Sequence, residues 1–98
     1  MTSKQRAYLK SLAMTMEATF QVGKSSLTPE LTAAIDEALA ARELIKLSVL
    51  RNCADDPHEL AQILAERTRS QVVQVIGKKI VLYRPGKDEK KKIELPSR

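Results

Sequence analysis

Ten residues carry the chain's most pointed chemistry: Phe20-Gln21-Val22-Gly23-Lys24-Ser25-Ser26-Leu27-Thr28-Pro29. They read as the end of a strand, a glycine turn, a lysine, two small hydroxyl residues and the start of a helix. Unpaired N–H groups and the positive end of the dipole at a helix start favour an anion. Lys24 adds a full charge there, Gly23 lets a sugar-phosphate backbone come close, and the hydroxyls of Ser25 and Ser26 can donate to phosphate oxygens. The same letters also describe a glycine that ends a strand and serines that lead into a helix, and the local pattern leaves both readings open. A second basic stretch, Val75 to Pro85, presents Lys78 and Lys79 at a hairpin tip and Arg84 near its end. These side chains suit phosphate contacts, and they equally suit protection of strand edges.

Catalytic arrangements find no support. Gly23-Lys24-Ser25 matches the end of a P-loop, but the motif needs a glycine five residues earlier, where Ala18 stands. The one histidine, His58, falls in the first turn of a helix with no nucleophile marked beside it. The one cysteine, Cys53, excludes an internal disulfide and fits a reducing, cytoplasmic setting. Asp55 and Asp56 are explained by helix capping. The expectation is a protein without catalytic residues, metal or cofactor.

The elements that position these residues follow from periodicity. Tyr8, Leu9, Leu12 and Ala13 recur at helical spacing over residues 4–14. A short strand at 18–22 ends at Gly23, and Thr28 as N-cap with Pro29 opens a helix that runs to Arg42. Ile45, Leu47 and Val49 alternate with Lys46 and Ser48 in a strand over 44–50. Asp56-Pro57-His58-Glu59 spells a capping box before a third helix. Residues 72–76 and 80–84 are strands around Gly77-Lys78-Lys79. The order α-β-α-β-α-β-β predicts an α+β fold, a four-stranded mixed sheet packed against three helices, in one domain over 1–86 with a basic, flexible tail over 87–98. Ile93 and Leu95 would let that tail lie along an edge.

Charge narrows the partner. The 98 residues carry 17 Lys and Arg against 12 Asp and Glu, a net charge of +5. Residues 1–24 hold four basic side chains to one acidic, residues 25–70 five to eight, and residues 71–98 eight to three. A basic face and an acidic face result if the ends meet, and a polyanion such as nucleic acid suits the former. Aromatics make up only 3% of the chain, which argues against holding single strands by base stacking. No apolar run approaches membrane-spanning length.

Four stretches together resemble a known family. Ser3-Lys4-Gln5-Arg6-Ala7-Tyr8-Leu9-Lys10-Ser11-Leu12-Ala13, Gln21-Val22-Gly23-Lys24, Glu43-Leu44-Ile45-Lys46 and Val75 to Pro85 look like the bacterial YhbY proteins. These are the stand-alone form of the CRM domain, named for chloroplast RNA splicing and ribosome maturation. The resemblance implies a fold similar to the C-terminal domain of translation initiation factor three. It also implies binding to structured RNA, in bacteria the precursor of the large ribosomal subunit, through a GxxG loop. Gly23-Lys24-Ser25-Ser26 occupies that loop's place with Ser26 for the second glycine, and serine tolerates positive φ less well. The resulting expectation is a monomeric RNA-binding module that uses this loop with Lys4, Lys10, Lys78, Lys79 and Arg84, and that binds neither DNA nor membrane. A competing expectation is a protein-interaction or anti-association factor that meets the ribosome through acidic helices around Asp36, Glu37 and Glu43.

Overall fold

A computed structural model describes residues 1–86 and 93–96. Seven elements follow in order: α1 (Ser3–Ala13), β1 (Phe20–Val22), α2 (Pro29–Arg42), β2 (Leu44–Val49), α3 (Pro57–Thr68), β3 (Gln71–Ile76) and β4 (Lys79–Tyr83). The expected α-β-α-β-α-β-β order and the mixed four-stranded sheet are both present. β1 is shorter than its letters suggested, because only Phe20–Val22 pair with β2.

The strands lie in the order β1-β2-β4-β3. β1 and β2 are parallel across the α2 crossover, and β4 is inserted antiparallel between β2 and β3. The C-terminal ends of β1, β2 and β3 and the start of β4 therefore share one edge of the sheet. Alternation along the strands divides the core in two. Ile45, Leu47, Val49, Ile80 and Leu82 pack with Ile35 and Leu39 of α2 and Leu60 and Leu64 of α3. On the other face, Leu44, Val73, Val81 and Tyr83 pack under Leu9 and Ala13 of α1.

Local chemistry sets the helix ends. Thr2 Oγ1 accepts from the Gln5 amide at 3.1 Å while Gln5 Oε1 accepts from the Thr2 amide at 3.0 Å, a full capping box ahead of α1. At the far end, Lys46 Nζ donates to the carbonyls of Ala13 and Met16, both at 3.3 Å, where a cation suits the helix dipole. Thr28 caps α2 as expected, its Oγ1 accepting from the Leu31 amide at 3.1 Å. The capping box expected at α3 does not form: Asp56 is the N-cap residue but makes no side-chain capping bond. Its extended backbone and Pro57 start the helix without it.

The C-terminal residues 93–96 lie against the domain. Ile93 and Leu95 join the core beneath α1, and the Pro96 carbonyl accepts from Gln5 Nε2 at 3.2 Å. Glu43, buried at the end of α2 with φ 68°, holds them there. Its carboxylate accepts from the Ile93 amide at 2.7 Å and from the Gly86 amide. The flexibility expected of residues 87–92, 97 and 98 concerns residues outside those described.

Candidate nucleic-acid interface

The Gly23 loop is positioned by parallel pairing. Val22 stands opposite Val49, and the Leu50 amide donates to the Val22 carbonyl at 2.8 Å, so the loop after β1 lies beside the loop after β2. One strand further, the Val49 amide donates to the Lys78 carbonyl at 2.7 Å. Gly77, at φ 55°, opens the two-residue turn between β3 and β4, a position that favours glycine. With strands about 4.8 Å apart, the loop and the hairpin tip are about 10 Å from each other. Lys24, Ser25, Arg51, Lys78 and Lys79 are all exposed along this edge. Arg51 was not singled out in the sequence. It follows the apolar run of β2 as Lys24 follows β1, and the C-terminal ends of parallel strands are where such folds place ligands.

Within the loop, each residue does something different. Gly23 has no positive φ, and a Cβ there would stay in ordinary contact, 3.6 Å from both Asn52 Oδ1 and Leu50 Cδ1. Its value is a low profile rather than a special backbone conformation. Ser26 takes the left-handed conformation, φ 55°, and its amide closes the turn on the Gly23 carbonyl at 2.9 Å. The loop therefore adopts the backbone a second glycine would favour, with serine in its place. The Ser26 hydroxyl is already committed, since Oγ donates to the Asp55 carboxylate. Its expected use as a phosphate donor would require it to leave Asp55, which places a negative charge at the rim of the basic edge. The start of α2 is likewise less open to an anion than its position suggested. Thr28 covers the Leu31 amide, Pro29 has no N–H, and Glu30 is acidic.

Lys4, Lys10 and Arg84 separate. At about 100° per residue, Lys10 lies about 40° around α1 from Arg6, whereas Lys4 lies about 160° from it, on the far flank. Arg6 reaches to the carbonyls of Val72 and Val73 at 2.6 and 2.9 Å, beside the β3 bulge, so Lys10 overlooks the sheet and Lys4 does not. Arg84 is at the opposite end of β4 from Lys78 and Lys79. Its guanidinium binds Asp36 Oδ1 at 2.6 Å, the Asp36 carbonyl at 2.9 Å and the Thr68 carbonyl at 2.6 Å. Arg84, expected among the RNA contacts, here ties α2 and α3 to the sheet, away from the edge that carries Lys78 and Lys79.

The acidic surface of the competing expectation is also reduced. Glu43 is buried and Asp36 is paired with Arg84, which leaves Glu37 exposed on α2. Cys53 is buried in the core. No three His, Cys, Asp or Glu side chains gather as metal ligands among the described residues. Nor is any helix among them long and apolar enough to cross a membrane.

Fold and site together define a small α/β sandwich with a basic edge assembled from three connecting segments. The pattern of the CRS1/YhbY (CRM) domain matches residues 1–84, and the chain belongs to that family. It is 49% identical over 96 residues to "Probable RNA-binding protein YqeI" of Bacillus subtilis (strain 168), covering 98% of this chain and 99% of that one. It is 34% identical over 96 residues to a protein of Haemophilus influenzae named "RNA-binding protein", covering 98% and 95%. Among solved structures, the hypothetical protein SAV1595 of Staphylococcus aureus, described as a candidate RNA binder, superposes with a TM-score of 0.81. The identity is 50%, over 98% of this chain and 99% of that chain.

Proposed function

We propose that this protein is a non-catalytic, cytoplasmic RNA-binding module that grips the backbone of structured RNA with its basic sheet edge. Its target in this reading is precursor RNA of the large ribosomal subunit, in whose maturation it acts. The observation that carries the reading is the pairing of Val22 with Val49 and of the Val49 amide with Lys78, which draws Lys24, Arg51, Lys78 and Lys79 onto one edge. Four cations at about strand spacing suit a run of phosphates. The names borne by the relatives support RNA as the polyanion. The scarcity of aromatics favours recognition by shape and backbone over stacking of single-stranded bases.

Binding to a labelled RNA hairpin, followed by fluorescence anisotropy across a salt series, tests the reading. Affinity is expected to fall steeply with salt, and Lys24→Glu to weaken it far more than Arg42→Glu on α2. Equal effects of the two substitutions would remove the loop from the interface. Crosslinking in cells and sequencing of the bound RNA tests the target. Enrichment of messenger or transfer RNA over large-subunit precursor would overturn the assembly role.

A further inference from the structure

The sheet has an uncovered half on the α1 side. Gln21 stands opposite Ser48, Ser48 opposite Lys79, and Lys79 opposite Ile76, one row crossing all four strands. Every immediate strand neighbour of Gln21 and Ser48, namely Phe20, Val22, Leu47 and Val49, packs on the α2 and α3 side, so the row faces the other way. α1 rests on Leu44, Val73, Val81 and Tyr83, further down the sheet, and stops short of this row. Gln21 and Lys79 are exposed, Ser48 is half-buried, and Ile76 is 62% exposed.

We infer that this open row is a second contact surface, continuous with the basic edge, and that its occupant is a base-paired RNA segment. The inference rests on the RNA-binding reading above and extends it from an edge to a face. The row begins two residues below Gly23 and one below the Gly77-Lys78 turn, so an RNA backbone held at the edge passes directly onto it. Lys79 Nζ already donates to Ser48 Oγ at 3.0 Å, which holds an ammonium over the middle of the face. Lys10 is exposed on the side of α1 from which Arg6 reaches β3, and no member of the row is acidic. The row offers an amide, a hydroxyl and an ammonium, groups that meet phosphates and 2′-hydroxyls. It contains no aromatic ring on which an unpaired base could stack, so the shallow, hydroxyl-lined groove of paired RNA fits it better than a splayed single strand. Exposed Ile76 at the edge strand supplies an apolar contact for a ribose.

Anisotropy with a labelled RNA hairpin and the full chain tests this. Gln21→Glu and Ile76→Glu change exposed side chains, and each is expected to weaken binding by about five- to tenfold, the loss of one contact. Gln62→Glu adds the same charge to the exposed side of α3, across the sheet, and is expected to change affinity by less than about twofold. An unlabelled hairpin should displace the probe, and oligouridine of equal length should do so poorly. If Gln21→Glu and Ile76→Glu match Gln62→Glu while Lys24→Glu still weakens binding, the face is not a contact although the edge is. If Lys24→Glu also has no effect, the underlying RNA-binding reading fails with it. Oligouridine competing as well as the hairpin would overturn paired RNA as the occupant.

Discussion

Arg84 NH1 lies 2.6 Å from Asp36 Oδ1 and, with the same nitrogen, 2.6 Å from the Thr68 carbonyl. One guanidinium thus joins the end of β4 to the middle of α2 and the last turn of α3. The planar fork makes this possible, since several N–H groups point in fixed directions from one group. Asp36 contributes both its carboxylate and its own carbonyl, so the contact fixes side chain and backbone together.

Removing this clamp should cost stability and spare the RNA site. Arg84→Ala is expected to lower unfolding free energy by about 1–2 kcal/mol, a value held down by the solvent exposure of Asp36. Arg84→Lys should recover less than half of it, because an ammonium cannot reproduce the fork. Thermal denaturation reads the first effect and RNA anisotropy the second. A large loss of RNA affinity in folded Arg84→Ala would return this residue to the interface.

Glu43 governs the C-terminal residues in a similar way. Its two carboxylate oxygens take the amides of Gly86 and Ile93 inside the protein. Glu43→Ala leaves both donors without that carboxylate and should cost about 2–4 kcal/mol. It should also speed tryptic cleavage beyond Gly86 relative to cleavage within the domain, as local release predicts. Unchanged proteolysis alongside reduced stability would show that other contacts hold the tail.

The contrast between these two residues and Thr28 explains what the sequence could disclose. Thr28-Pro29 is a cap because of what its immediate neighbours are, so it was legible, as were the alternating strands and the Gly77 turn. The departure at Ser26 was legible too, since one residue stands where a second glycine belongs. Arg84 looked like one more exposed cation, because nothing nearby in sequence announces Asp36 or Thr68. Glu43 looked like a surface carboxylate for the same reason. Nothing in the sequence marks Arg51, because its nearness to Gly23 exists only through β1–β2 pairing. Likewise, the loop and the hairpin were each marked as basic, but only the insertion of β4 beside β2 brings them to one edge. Asp56 and Glu59 had the right spacing for a capping box, yet the Asp56 side chain makes no capping bond.

Alkaline stability should report on Tyr83. Burial first, and the nearby Glu43 carboxylate second, hold its phenol above the usual tyrosine value. Between that usual value and the folded one, the unfolded chain has released a proton that the folded chain keeps. Stability is therefore whole below about pH 10 and falls as pH rises beyond it. Tyr83→Phe cannot ionise and should lose less stability over that range. Urea midpoints measured from pH 9 upward, within the range of about 9–11 where tyrosine titrates, check this. Parallel curves for the two proteins would show that Tyr83 does not set the slope.

Asp55 gives the sharpest test of how the Gly23 loop meets its ligand. Its carboxylate accepts from Ser26 Oγ and so steadies a left-handed serine, but it also puts a negative charge at the rim of the edge that carries Lys24 and Arg51. These roles separate chemically. Asparagine keeps a side-chain oxygen that can accept from Ser26 and removes the charge. With a polyanion bound at this edge, Asp55→Asn should tighten RNA binding by about two- to fivefold at low salt, and the gain should shrink as salt screens it. Asp55→Ala also removes the charge but releases Ser26, so any gain from neutralisation is opposed by loss of loop order. Asparagine should therefore bind RNA more tightly than alanine. Anisotropy on the three proteins across a salt series distinguishes the effects. Affinity that is unchanged by Asp55→Asn at low salt would mean that the RNA approaches the sheet edge without passing the Ser26 side of the loop.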